Sequence, residues 1–389
     1  PTPSPDGKYL SFVRRDKDQS QLWVKNIETG VEHMVYGDLD QDMQETWAVY
    51  GAYPNMDWMP DSGSIVFWAG GKIRRVKVDG SGGQVIPFAI NDTRAILGAP
   101  HPTIEVSPTT FETKIPRFAT LDTRSQRIVF ESLGKLYSKN VSGRDLPRRL
   151  TDENSNSLEL WPVFSRDGQQ LAFVRWNDEN LGEIIVADSD GSNPRTITSE
   201  PGHYARPEFS PDGRLLVFEK RGGGYLTDPN YSENPGIYFT ETSGGSPTLI
   251  TRSGTNPHFG SRNDRIFLNV FGDNQLSLIS SNLNGNDVRT HARGDLVSQY
   301  RVSPDEQTVV FRQNYEAFIM PMMPGGKPVS VGENSSSFPI VRISDGGADY
   351  VNFSSGGEVV SWSIGPLFQN TRVSEIFEDA PRHDEVEEK

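Results

Sequence analysis

The residues that could do chemistry are scattered along the chain. Six histidines, His33, His101, His203, His258, His291 and His383, are spread over 389 residues, and no two stand within thirty positions of one another. A metal-dependent hydrolase barrel needs a His-x-His pair at a strand end plus later His and Asp ligands, because several imidazoles and carboxylates must share the ion. That set is missing from this span. So are a Gly-x-Ser-x-Gly nucleophile elbow and a Walker-type phosphate loop. With no cysteine, thiolate chemistry, thiolate metal sites and disulfides are excluded too. No catalytic, cofactor-binding or metal-ligating residue is therefore assigned. Asp38-x-Asp40-x-Asp42 has the alternation of a calcium loop, but Met43 stands where such a loop needs Gly and Val49 where it needs Glu, so a solvated acidic loop is expected.

Composition narrows the class. A net charge of -14 and no run of Lys or Arg argue against nucleic acid, since neutralising phosphates takes a basic face. No apolar stretch approaches the roughly 18 residues that span a bilayer, and Pro1-Thr2-Pro3-Ser4-Pro5-Asp6-Gly7 is unlike a signal peptide. The chain opens without Met and is expected to be a piece of a longer protein. With 37 Gly and 27 Pro, it is too rich in turn formers for a helical protein and reads as all-β.

A repeat organises the rest. Ser-Pro-Asp-Gly or a near relative recurs with its aspartate at 6, 61, 167, 212 and 305. The spacings are 55, 106, 45 and 93, and the two long ones each hide a degenerate copy, near Asp122 and near Ser261. Phe353-Ser354-Ser355-Gly356-Gly357 makes an eighth. The motifs thus stand near 4, 60, 122, 165, 210, 261, 303 and 354, with a possible insertion over 88–117. Behind each comes a β-branched and aromatic run, as in Leu215-Phe218 or Val309-Phe311, then in most copies a third strand and a closing one. Four short strands per ~40–50 residues is the pattern of a propeller blade. The expected fold is a β-propeller of four-stranded antiparallel blades, about eight repeat units over 1–374, with the first and last incomplete. Residues 375–389 read as an acidic linker or disordered tail.

The aspartates are expected to form turns: Pro presets φ, Asp bonds back to its own turn, and Gly supplies positive φ. Function then falls to the central channel and its connecting loops. His203, Arg206 and His258 lie at or near innermost strands and are candidates for the channel mouth, with packing as the plainer role for the histidines. Trp23, Trp58, Trp68, Trp161, Trp176 and Trp362 alternate with strand residues and are expected in the core between blades.

The repeat resembles TolB-like propellers. Longer stretches narrow the likeness: Gly37-Asp38-Leu39-Asp40-Gln41-Asp42 with Glu45-Thr46-Trp47-Ala48, Phe67-Trp68-Ala69-Gly70-Gly71, Phe130-Glu131-Ser132-Leu133-Gly134-Lys135-Leu136-Tyr137, Pro201-Gly202-His203-Tyr204, Asn256-Pro257-His258-Phe259 and Gln313-Asn314-Tyr315-Glu316. Together they resemble the exported bacterial amidohydrolases in which such a propeller precedes an imidazolonepropionase-like hydrolase domain. The resemblance implies a non-catalytic propeller that gates substrate or docks a downstream hydrolase domain. It also implies an exported or periplasmic protein, with zinc-type metal only in that downstream domain. Two alternatives share the repeat: a free-standing periplasmic TolB-type propeller binding a protein or peptide partner, and a propeller lid of a prolyl-oligopeptidase or tricorn-like peptidase.

Overall fold

The computed structural model describes residues 1–378 except 17–18, 40–54, 96–97, 99–103, 125, 153, 224–231, 324–326 and 333–338. Asp40, Asp42, Glu45, Trp47, His101, His383 and the tail 379–389 lie outside the described residues. The described strands form eight sheets, six of four strands, one of five and one of three, as the repeats predict. The described residues fall into two compact units, one within 1–108 and one within 109–378.

The first unit holds two four-stranded sheets, within 2–36 and 56–86. They share a core of Leu22, Val24, Val35, Ile65, Phe67 and Val76 with Trp58. The Trp58 Nε1–H donates to the Thr2 carbonyl at 3.0 Å, fixing one sheet's inner edge to the other.

The second unit is a ring of six blades, within 117–149, 158–196, 203–251, 255–294, 297–342 and 349–372. Their innermost strands are Arg117–Leu121, Leu158–Phe164, His203–Phe209, Thr255–Phe259, Val297–Val302 and Asp349–Phe353. Each contacts the next blade, and the sixth closes on Arg117–Leu121. Between each pair of neighbours sits one apolar cluster, six in all, so the core is distributed around the ring. A strand covered on both faces needs no polar side, which explains why Leu216-Val217-Phe218 and Ile266-Phe267-Leu268 are continuous apolar runs, each buried to within 1%. Burying such a side chain stabilises by about 1.5–3 kcal/mol, so the packing of blade on blade dominates.

The Asp turns follow one local design. In the second blade the Ser165 hydroxyl donates to Asp167 Oδ1 at 2.6 Å, while that carboxylate accepts the Gln169 N–H and Ser165 Oγ accepts the Gln170 N–H. Ser210 and Asp212 repeat it, as do Ser303 and Asp305. Gly168 and Gly213 take φ of 71° and 72°, conformations that a Cβ disfavours. Glu306 replaces that glycine at φ 59°, and its Oε1 accepts the Ser261 N–H at 2.7 Å from the neighbouring turn, offsetting the strain.

Two joints depart from regularity. Val329–Ser330 leaves the fifth blade and pairs in parallel on Arg289–Gly294 of the fourth, before the chain returns to complete its own blade with Val341–Arg342. The sixth blade has only three strands, ending with Leu367–Arg372. The helix Val373–Glu378 follows, its Val373, Ile376 and Phe377 packed on the cluster between the fifth and sixth blades.

Candidate functional site: the channel mouth of the six-bladed ring

All six innermost strands shift register once, at the end of the ring away from the Asp turns. The residues at those bulges are Phe118, Trp161, Arg206, Asn256, Ser298 and Tyr350. Five of them hold positive φ: Phe118 54°, Trp161 51°, Arg206 49°, Asn256 54° and Tyr350 54°. For non-glycine residues this costs about 1–3 kcal/mol each, and it persists only where the surroundings impose it. A bulge re-aims a side chain, and here all six residues line a cavity of about 300 Å³, with Asn256 itself buried and donating from Nδ2 to the Tyr300 carbonyl of the next blade at 2.9 Å.

The surroundings that impose the strain are polar groups on the second strands. Glu131, fully buried, accepts the Arg117 Nε–H at 2.6 Å and the Gly134 N–H. Glu219, 3% exposed, accepts Arg206 and Arg221 at 2.8 Å each and the Asn256 N–H of the next blade at 2.6 Å. Burial raises the Glu219 carboxyl, but Arg206, Arg221 and that N–H outweigh it and hold it below its ordinary value. Asn269 grips the Tyr300 backbone of the following blade, accepting its N–H at 2.7 Å and donating to its carbonyl at 3.0 Å. Each anchor reaches forward from one blade or fixes its own bulge, so the mouth is preorganised.

Aromatic faces and charges share the rim. Phe118 lies 5.0 Å from Trp161 and 5.1 Å from Tyr350, centroid to centroid. Arg221 stands 5.3 Å over Trp161, and Arg312 pairs with Asp349 at 2.9 Å. Deeper in, Arg301 pairs with Glu208 across the axis. Arg117, Arg206, Arg221, Arg301 and Arg312 face Glu131, Glu208, Glu219 and Asp349, five charges against four, in a chain whose net charge is -14. The mouth is therefore not acidic like the rest. Beyond Glu208 the space narrows to about 20 Å³ beside Arg166, whose guanidinium donates to the carbonyls of Pro304, Phe259 and Gly260. Burial lowers the Arg166 guanidinium from its ordinary value.

Of the three residues that the sequence singles out, Arg206 stands on the mouth. His203 begins its strand beside Trp176, ring centroids 4.7 Å apart. His258 is 1% exposed and sits between blades: Nδ1 donates to the Asn256 carbonyl at 2.9 Å and Nε2 accepts the Val302 N–H at 3.0 Å. Burial, with Arg301 and Arg166 near, pushes its imidazole down to about 3, so the ring is neutral. Among the described residues, no three of His, Asp and Glu stand together as a metal site. Of the tryptophans expected between blades, Trp58 and Trp362 are buried, Trp161 packs on the cluster between the second and third blades and also lines the mouth, and Trp68 is 44% exposed. Phe118, Asn256 and Tyr350 were not singled out. Trp161-Pro162, Arg206-Pro207 and Asn256-Pro257, whose first residues each stand four positions before the start of the turn at Ser165, Ser210 and Gly260, carry the available signal.

Residues 126–320, half of the chain, match the family described as TolB beta propeller domain. A TolB homolog of Chlorobium chlorochromatii is 29% identical over 117 residues, 29% of this chain and 24% of that protein. The Tol-Pal system protein TolB of Desulfosudis oleivorans is 32% identical over 113 residues, 28% of this chain and 25% of that protein. The match spans about a quarter of the length of these curated relatives. Among solved structures, TolB from Acinetobacter baumannii is 15% identical with a TM-score of 0.42, over 82% of this chain and 78% of that one. A putative TolB from Agrobacterium tumefaciens is 17% identical with a TM-score of 0.36, over 71% and 89%. No helix among the described residues is long and apolar enough to cross a membrane, which says nothing of membrane β-barrels.

Proposed function

The chain belongs to the TolB beta propeller domain family, and from that premise we propose that it works by binding, taking a polypeptide segment of a protein partner at the channel mouth of its six-bladed ring. The carrying observation is the strained ring of Phe118, Trp161, Arg206, Asn256 and Tyr350, one conformation repeated on five blades around one cavity. Aromatic faces and arginines on rigid strands are the groups that anchor protein partners, because they bury large area with little loss of side-chain freedom. One of the two curated relatives is named as a protein of the Tol-Pal system, and membership of a multi-component system supports a protein-binding role.

The two blades of the first unit favour a second reading. A chain that carries two sheets besides a closed ring of six suits an accessory propeller of a larger multidomain protein. There the partner segment would belong to a hydrolase domain, with zinc-type metal confined to that domain.

A displayed random-peptide library selected on the purified chain tests the binding proposal. Selected peptides should lose at least ~10-fold in affinity on Trp161→Ala, a loss of about 1.4 kcal/mol, and keep it on Arg214→Ala at the Asp-turn end. Peptides indifferent to Trp161 and Arg206 would overturn it. Joining the chain to its own downstream sequence, followed by cross-linking from the mouth, decides between the two partners.

A further inference from the structure

The mouth is a cup rather than a tunnel. Its cavity of about 300 Å³ stands at the small end of ligand pockets, and beyond Glu208 the channel leaves about 20 Å³, room for one water. A polypeptide that enters the mouth cannot thread the ring. It must turn back or end there. Turning back lays two passes of backbone side by side, about 4.8 Å apart before any side chain is added, whereas ending needs only one. A small blind cup therefore suits a chain end. An end also brings a charge, positive at the amine and negative at the carboxylate.

The pairing of charges around the cup decides between the two. Arg117 pairs with Glu131, Arg301 with Glu208 and Arg312 with Asp349, one to one. Arg206 and Arg221 share the single carboxylate of Glu219, so the surplus positive charge of the mouth resides on these two. Arg221 stands 5.3 Å over the face of Trp161, which takes up part of its charge, and only Arg206 lines the cavity. Among the described residues, the Arg206 guanidinium is engaged only through Nη1, on Glu219 at 2.8 Å. Its Nε and Nη2, the two donors that form one fork, stay open. The strained backbone at φ 49° and the nearly buried Glu219 hold that fork in place, so receiving an anion costs little reordering. Across from this polar side lies the aromatic one: Phe118 touches both Trp161 and Tyr350, on three consecutive blades.

We infer, on the reading that the mouth takes a polypeptide, that its occupant is the C-terminal end of the partner's chain, with the terminal carboxylate on the Nε–Nη2 fork of Arg206. The last side chain is apolar and lies against Phe118 and Trp161. A guanidinium fork takes both oxygens of a carboxylate in two parallel charged hydrogen bonds, which a terminal amide cannot match. An internal acidic residue offers the same group, but it reaches the cup only by a chain that turns back.

Two random hexapeptide libraries selected in parallel on the purified chain test this, one displayed with a free C-terminus and one with a free N-terminus. The first should yield binders that depend on Trp161. Synthetic copies of them should bind at least ~10-fold more weakly as C-terminal amides, a loss of about 1.4 kcal/mol. On Arg206→Gln, acid and amide should bind alike, while the comparison on the unaltered protein requires no variant to fold. Trp161-dependent peptides that bind equally as acid and amide, or that come from the second library alone, would overturn the terminal carboxylate and leave binding at the mouth standing. A preference for the acid that survives Arg206→Gln would overturn the role of Arg206. If neither library yields a Trp161-dependent binder, the reading of the mouth as a polypeptide site falls as well.

Discussion

The same six strands end in two different ways. At the Asp-turn end the backbone satisfies itself: Ser and Asp bond within their own turns, and Arg166 lies across the axis with its donors on the carbonyls of other blades. At the mouth end, each strand bulges, five residues hold positive φ, and the restraints come from the neighbouring strand or blade. Local bonding gives a closed, regular end, and borrowed bonding gives an open, strained one. The difference teaches where the molecule concentrates its specificity. The Asp turns would form in any blade, whereas the mouth exists only in the assembled ring.

Breaking a mouth anchor should therefore cost most. Glu219→Ala leaves Arg206, Arg221 and the Asn256 N–H without their shared carboxylate, and is expected to destabilise by about 3 kcal/mol in a denaturant titration. A loss below 1 kcal/mol would mean that the bulges hold themselves. At the opposite end, Arg166→Ala removes several donors to carbonyls and should cost about 2 kcal/mol while leaving affinity at the mouth unchanged. A matching loss of affinity would show that the two ends are coupled.

Acid sharpens the contrast between the ends. His258 is lowered from 6.5 to about 3, so between those values the unfolded chain binds a proton that the folded one refuses. Its contribution is whole above pH 6.5 and falls by about 1.4 kcal/mol per pH unit on acidification toward 3. His291, also lowered by burial, adds to the slope, while Glu219, a depressed carboxyl, adds only as pH falls below its ordinary 4.5. Between pH 6.5 and 4.5, then, His258→Gln and His291→Gln should each flatten the stability profile. A profile unchanged by both substitutions would contradict the burial of these rings. The smallest effect belongs to a single turn: Asp212→Ala should cost about 1 kcal/mol, with no change of affinity at the mouth.

The same division sets what the sequence discloses. Ser-Pro-Asp-Gly announces its turn because the bonds between its Ser and Asp side chains and the turn backbone are within five residues, and the eight sheets follow from eight such signals. Trp161 reads as core because its neighbours alternate as a strand, and nothing local says that a bulge will rotate it to the axis. Phe118 and Tyr350 lack even a following proline. His258 is legible as a packing residue, but its bond to the Val302 N–H depends on a blade forty-four positions away. The number of blades in the ring is hidden for a similar reason. Eight copies look alike in sequence, and only the contact between the sixth blade of the ring and Arg117–Leu121 shows that six of them close on themselves.

The exchanged strand Val329–Ser330 makes the ring's joints mechanically unequal. Where it crosses, the fourth and fifth blades are stitched by hydrogen bonds as well as by packing, and separating them means stripping a parallel pair and the Val331 N–H bond to Arg293 together. The joint between the sixth and first blades has no such exchanged strand among the described residues, and it alone is not crossed by the chain running directly from one blade into the next. A pull on the ring would load all joints alike but yield at that one, so the circle has a built-in seam, two joints from the stitched one.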